Sequence, residues 1–253
     1  MLFHNECLQG RRILVTGASS GIGRTTAELL SQCGARIVAV GRDQVRLKQT
    51  LASLRGDGHR VEALDLTGDD NIGEFLQSVT SDNDPLHGIF HAAGISQVRP
   101  VKLSKSKQFD EVFASSAKSA LALARGASLR GVMADHSAIV FMSSVAGLRG
   151  QSGMSIYSAA KAAIDGMTKS LAVEFAPRGI RVNSIDAGAV ETEMHARLIQ
   201  SLSDDSVGNY REKHLLGFGT ALDIAQMAVF LFSDGGRWIT GSNVLVDGGF
   251  TVR

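Results

Sequence analysis

Short runs of apolar residues alternate along the chain with longer stretches in which apolar positions recur every three or four residues. The runs at 12–16, 36–40, 61–65, 88–92, 137–143, 181–185 and 243–246 predict strands. Several are apolar almost throughout, as strands covered on both faces must be. The stretches near 21–33, 43–55, 69–80, 106–131, 155–176 and 221–233 predict helices. Strand and helix in strict alternation predict a parallel sheet joined by crossover helices, an α/β fold. With only three prolines and no low-complexity segment or linker, nothing divides the chain, so 1–253 reads as a single domain. The rhythm breaks at 189–216, a polar and apolar mixture centred on Ser201-Leu202-Ser203-Asp204-Asp205-Ser206. It predicts a lid inserted over the C-terminal edge of the sheet.

Composition narrows the function without changing this picture. At 44% apolar and 20% charged, 253 residues can bury a sizeable core. The net charge of +1, with no long basic or acidic block, gives no electrostatic reason to expect nucleic acid or a membrane surface. A small molecule is the expected partner. No apolar run approaches the roughly 18 residues that cross a bilayer. Cys7 and Cys33 are too few for a disulfide framework, and Met1-Leu2-Phe3-His4-Asn5-Glu6 lacks a basic segment leading into an apolar one, so a reducing cytoplasm is expected. No His/Cys/Asp cluster points to a metal.

Candidate chemistry gathers at the ends of the predicted strands, the edge where open α/β sheets bind ligands. Thr16-Gly17-Ala18-Ser19-Ser20-Gly21-Ile22-Gly23 follows the first strand and opens the first helix. Glycines there let a ligand approach the backbone, and unpaired helix N–H groups face a pyrophosphate. In Ser155-Ile156-Tyr157-Ser158-Ala159-Ala160-Lys161, a phenol and an ammonium four residues apart share one helical face. A nearby cation draws a tyrosine pKa down from about 10, which suits the phenol to acid–base work on a carbonyl. Ser144 ends the apolar run 139–144 and delivers a hydroxyl to the same edge. Asp65-Leu66 closes the third strand, where an aspartate also commonly starts a turn.

Together with His91-Ala92-Ala93-Gly94 and Val246-Asp247-Gly248-Gly249, these motifs resemble the compact branch of the short-chain dehydrogenase/reductase family over nearly the whole chain. The resemblance implies a Rossmann-like, doubly wound domain with a seven-stranded parallel sheet and helices on both faces. It implies an oxidoreductase, with the 3-oxoacyl-thioester reductases the nearest-looking subgroup. Tyr157 is then the acid and base, Ser144 stabilises the carbonyl oxygen, and Lys161 lowers the tyrosine pKa and binds the nicotinamide ribose. The implied cofactor contacts are Gly17, Ser19, Ser20, Gly21, Ile22, Gly23, Arg42, Asp65, Leu66, Ala92, Ala93, Gly94, Tyr157, Lys161, Gly188, Val190 and Thr192. Gly41 stands where NAD users carry an acid, and Arg42 offers a planar cationic fork for a 2′-phosphate, with hydroxyls from Ser19 or Ser20. NADP(H) is therefore favoured over NAD(H). Ser96, Val98, Gln151, Met154, Val190, Met194, His195 and Leu198 are the implied substrate neighbours. Ala159, Ala160, Ala162 and Ala163 allow close helix approach, and the family's usual packing of this helix implies a homotetramer.

Three departures from the family pattern stand out. Ser116 occupies the place of an asparagine that completes the catalytic set, which predicts a slower or rearranged proton relay, helped by Ser115. Ala187 replaces a proline and predicts a looser turn. His91 replaces the asparagine that opens its motif and reads as a satisfied core residue. These departures also motivate a second reading, a catalytically impaired dinucleotide-binding regulatory or structural subunit.

Overall fold

The computed structural model describes residues 4, 6–68, 71–81, 83–200, 208 and 210–253. Its main elements in chain order are β1 (Arg12–Thr16), α1 (Gly21–Gln32), β2 (Arg36–Gly41), α2 (Gln44–Ser53), β3 (Arg60–Ala63), α3 (Ile72–Ser78), β4 (Leu86–His91) and α4 (Ser106–Phe113). They continue with α5 (Ser119–Ala127), β5 (Met133–Ser144), α6 (Ser155–Phe175), β6 (Arg181–Ala187), α7 (Glu193–Ile199), α8 (Ala221–Phe232) and β7 (Asn243–Val246). The seven strands form one parallel sheet in the order β3-β2-β1-β4-β5-β6-β7. The strand order reverses between β1 and β4, which opens the kind of crevice at which α/β folds bind ligands.

Alternation along the strands divides the core between the two faces. Ile13, Val15, Ile37 and Ala39 pack with Ala27 and Leu30 of α1 and Ala225 and Val229 of α8. Leu14, Val38 and Val40 face the other way, toward Leu76 of α3, Leu123 of α5 and Ile164 of α6. Burying each such aliphatic side chain contributes about 1.5–3 kcal/mol, enough to fix which face every strand residue takes. Two helix starts are closed from within the chain. Asp43 Oδ1 accepts the Arg46 N–H at 3.0 Å ahead of α2, and Asp223 accepts both the N–H and the hydroxyl of Thr220 ahead of α8.

The boundaries depart from the sequence pattern where side chains compete with the backbone. The third strand stops at Ala63 rather than Asp65, because Asp65 Oδ1 accepts the Thr67 N–H at 3.0 Å and turns the chain. The fifth begins at Met133, four residues early, pairing with Leu86 before a register shift. The helix expected over 106–131 is three pieces, with a π-helical turn at Ala114–Lys118 between α4 and α5. Such a turn carries one extra residue per hydrogen-bonded ring. The start of the helix expected at 69–80 falls on residues 69 and 70, outside the described residues. So does the middle of the expected lid, 201–207 and 209. Around it, Val190–Glu191 pairs with Gly219–Thr220 and α7 follows Thr192.

Candidate active site

The turn from β1 into α1 is shaped by contacts that exclude side chains. A Cβ on Gly17 would lie 2.9 Å from the Ala92 carbonyl, and one on Gly23 would overlap the Gly17 carbonyl oxygen. Thr16 Oγ1 accepts the N–H groups of Ala92 and Ala93 at 3.2 and 3.1 Å, which ties the end of β4 to the end of β1. Ser20, the residue before α1, makes no capping bond with its side chain, so the first N–H groups of α1 are left for a ligand. The resulting cleft, about 230 Å³, is lined by Gly17, Ser19, Ser20, Gly21, Ile22, Gly23, Arg42, Asp65, Leu66, Ala92, Ala93, Gly94 and Thr192. This bare helix start in a glycine-rich cradle fits a dinucleotide pyrophosphate. Arg42 lies exposed at the mouth, just ahead of the capped start of α2. Asp65 is held below its usual pKa by its bonds to Thr67 and by the charge of Arg42, so it both starts a turn and lines the cleft.

A second cavity of about 160 Å³ adjoins the first, sharing Ile22, Ala92, Gly94, Ile95, Thr192 and Met194. Ser144 from the end of β5 meets Tyr157 and Lys161 from α6 there, with Gly188, Val190, Ser96, Gln151, Met154, Met194, His195 and Leu198 around them. Val98 does not join them. It lines an outer groove with Ser19, Arg42 and Ser96.

Ser144 Oγ accepts the Ala146 N–H at 3.2 Å and donates to the Ala187 carbonyl at 3.4 Å. Burial pushes the Tyr157 phenol up to about 12; its hydrogen bond with Ser144 works the other way, and Tyr210 adds to the rise. Lys161 donates to the Met142 carbonyl at 2.8 Å, and its Nζ lies 5.5 Å from the Tyr157 ring centroid. Burial lowers the lysine to about 8, against the pull of Asp165 and Asp186. The acidified phenol expected from the Tyr157/Lys161 spacing is therefore not what this cleft holds. Desolvation dominates the phenol, and one proton of the neighbouring ammonium is turned toward the Met142 carbonyl.

The three departures have distinct outcomes. Ser116 lies in the π-helical turn, fully buried and outside both cavities, with no hydrogen-bond partner for its hydroxyl among the described residues. Gly94 stands between it and the cleft, since a Cβ there would be 3.2 Å from Ser116 Oγ and 3.9 Å from Lys161 Nζ. Ser115 does line the first cavity. His91 is fully buried, with Nε2 2.9 Å from Ser119 Oγ and no partner for Nδ1 among the described residues, so it is a core residue satisfied there at one nitrogen only. Ala187 pairs with Ser144 on one side and Val246 on the other, which ties down the turn that the missing proline was expected to loosen.

Sequence reasoning missed three residues. Tyr210 lines the second cavity and stacks obliquely near His195, with ring centroids 6.2 Å apart, but no local motif marks it. Asp165 was signalled by its four-residue spacing from Lys161. Asp186 was signalled by its alternation with Ser184 on an otherwise apolar strand. Among the described residues, no group of His, Cys, Asp and Glu could hold a metal ion.

Residues 17–251 match the family model described as Enoyl-(Acyl carrier protein) reductase. Carbonyl reductase family member 4 of Danio rerio is 32% identical over 242 residues, 96% of this chain and 98% of its own. The 3-oxoacyl-[acyl-carrier-protein] reductase FabG of Rickettsia prowazekii is 32% identical over 246 residues, 97% of this chain and 98% of its own. Among solved structures, a short-chain type dehydrogenase/reductase from Mycobacterium ulcerans superposes with a TM-score of 0.88 at 29% identity, covering 97% of this chain and 91% of that one.

Proposed function

Because the chain belongs to the short-chain dehydrogenase/reductase family of oxidoreductases, we propose that it transfers hydride between NADP(H) and a carbonyl or secondary-alcohol substrate. The observation that carries this reading is the meeting of Ser144, Tyr157 and Lys161 in a cavity that opens onto the glycine-lined cleft. A bound nicotinamide would supply or accept the hydride. Tyr157 would give its proton to the substrate oxygen while Ser144 Oγ donates a hydrogen bond to the same atom, so that the carbonyl becomes an alcohol. Lys161 would hold the ribose through its ammonium. A phenol raised to about 12 stays protonated across the physiological range, the form in which it can donate to a carbonyl oxygen. Gly94, Gly188 and Val190 would flank the nicotinamide. Arg42, Ser19 and Ser20 would take the 2′-phosphate in preference to the bare ribose of NAD(H).

The substrate side is mixed. Met154, Met194 and Leu198 offer apolar surface, while Ser96, Gln151 and His195 offer hydrogen bonds. The relatives that reduce 3-oxoacyl thioesters make that class the first to test. No described helix is long and apolar enough to cross a membrane, and a cytoplasmic homotetramer acting on a small molecule, each chain one cofactor-binding and catalytic unit, fits this reading. The test follows NADPH absorbance with 3-oxoacyl thioesters, ketones and quinones. Turnover is expected, and Tyr157→Phe is expected to lose at least about 10²-fold in kcat while binding NADPH as before. Cofactor binding with no turnover on the whole panel would instead identify a dinucleotide-binding regulatory or structural subunit, the reading that the unpartnered Ser116 favours.

A further inference from the structure

The core beneath Lys161 holds two carboxylates that the proposed reaction does not use. Asp165 lies one turn further along α6 on the same face as Lys161, and Asp186 sits one residue before the end of β6. Both are more than nine-tenths buried. Ser184 Oγ is 3.3 Å from Asp165 Oδ1 and 3.4 Å from Asp186 Oδ1, and its single proton serves one of them at a time. That same oxygen accepts from Asn243 Nδ2 of β7 at 2.6 Å. Each acid leaves an Oδ2 with no donor among the described residues. Gly147 closes the cluster from the turn after β5, since a Cβ there would lie 3.1 Å from Asp165 Oδ2 and 2.9 Å from the Ala162 nitrogen.

Two carboxylates that flank one hydroxyl inside a core hold a proton to higher pH than a free aspartate does, because neither has water to screen its charge. The pair therefore passes through a state that holds one proton between the two acids. With that proton, the pair and the Lys161 ammonium sum to zero charge. We propose that Asp165 and Asp186 form a single-proton acid pair that sets the charge state of Lys161, acting as positioning residues for the lysine. Their catalytic relevance rests on the function assigned to Lys161 above.

The groups facing Lys161 leave the pair as its counter-charge. Tyr157 and Asp165 face it from α6, Asp186 from β6 and His91 from β4, while Ser116 in the π-helical turn carries no charge. Burial and Lys161 itself push His91 down to about 3, so it is neutral at physiological pH. Burial and Asp165 raise Asp186 above the usual carboxylate range. While the pair keeps its proton it carries one negative charge; once the proton leaves it carries two, which favours the ammonium on Lys161, a group that burial lowers to about 8.

The experiment is ¹³C NMR of ligand-free protein labelled at aspartate Cγ and lysine Cε, titrated from pH 4 to 10, in the wild type, Asp186→Asn and the double variant Asp165→Asn/Asp186→Asn. An aspartate titrating near neutrality is expected in the wild type and absent from Asp186→Asn. The Lys161 titration is expected to move to lower pH in Asp186→Asn and by about 1 unit or more in the double variant. The alkaline limb of kcat/KM should move by the same amount. Lys161 titrating alike in the wild type and Asp186→Asn, or both acids titrating in the ordinary carboxylate range, would overturn the proposal. Asp186→Asn keeps shape and hydrogen bonding, so it decides alone if the double variant does not fold. Resonances that shift without any turnover sink the enzymatic reading and not the pair; turnover without shifts does the reverse.

Discussion

On the proposed function, single residues set which cofactor the cleft prefers. Arg42 lies exposed at its mouth and carries a permanent charge, whereas Gly41 beside it offers no carboxylate to a ribose. Arg42→Ala is expected to weaken NADPH binding by at least about 10-fold, the size of one charge-assisted hydrogen bond, and to leave NADH nearly unchanged. Fluorescence titration with both cofactors checks it, and equal losses would remove Arg42 from the phosphate site. At this scale the chain could be read well where spacing carries the chemistry. Tyr157 and Lys161 are neighbours on any helix, so their proximity follows from local geometry alone. The protonation of Tyr157 was not legible, because desolvation depends on what closes over the phenol, and Tyr210 arrives from more than fifty positions away.

Elements place those residues, and short elements do so only with help. Helix α7 has seven residues, too few to be stable alone, and it presents Met194, His195 and Leu198 to the second cavity. Its start depends on Thr192, whose Oγ1 accepts the His195 N–H at 3.3 Å. Thr192→Ala is expected to cost about 1 kcal/mol at this helix end and to raise KM for substrate roughly fivefold, with a smaller effect on kcat. Steady-state kinetics would show it, and an unchanged KM would mean that α7 does not position the substrate side. Strand and helix existence was readable because both faces of the sheet are covered, which imposes a strong apolar pattern. The π-helical turn at Ala114–Lys118 was not, since one inserted residue barely disturbs the apolar spacing on either side of it. Nor was the early end of β3, which one aspartate side chain sets.

For the whole molecule, the outer face of α6 is the feature to explain. Ala160 and Ile164 point into the core, while Ala159, Ala162 and Gly166 lie exposed and Val173 is 75% exposed. A smooth stripe of small residues ending in a bare valine suits another helix packed across it, in keeping with the proposed homotetramer. Sedimentation velocity is expected to find a tetramer at assay concentration, and Val173→Glu to shift it toward smaller species; a wild-type monomer would refute the assembly. The parallel sheet with its crossover helices followed from the βα rhythm, and the Rossmann-like layering from the family resemblance, but the assembly was not legible in the exposed face of α6, because small exposed residues look alike whether or not another subunit covers them. The start of α1 has one more consequence. Where Asp43 and Asp223 finish α2 and α8 from inside the polypeptide, α1 keeps its opening amides unclaimed, and the folded chain is in that sense unfinished. Docking an anion there completes a helix as well as filling a cleft, so occupancy should be felt as rigidity across the β1–α1 junction and on into the sheet it anchors.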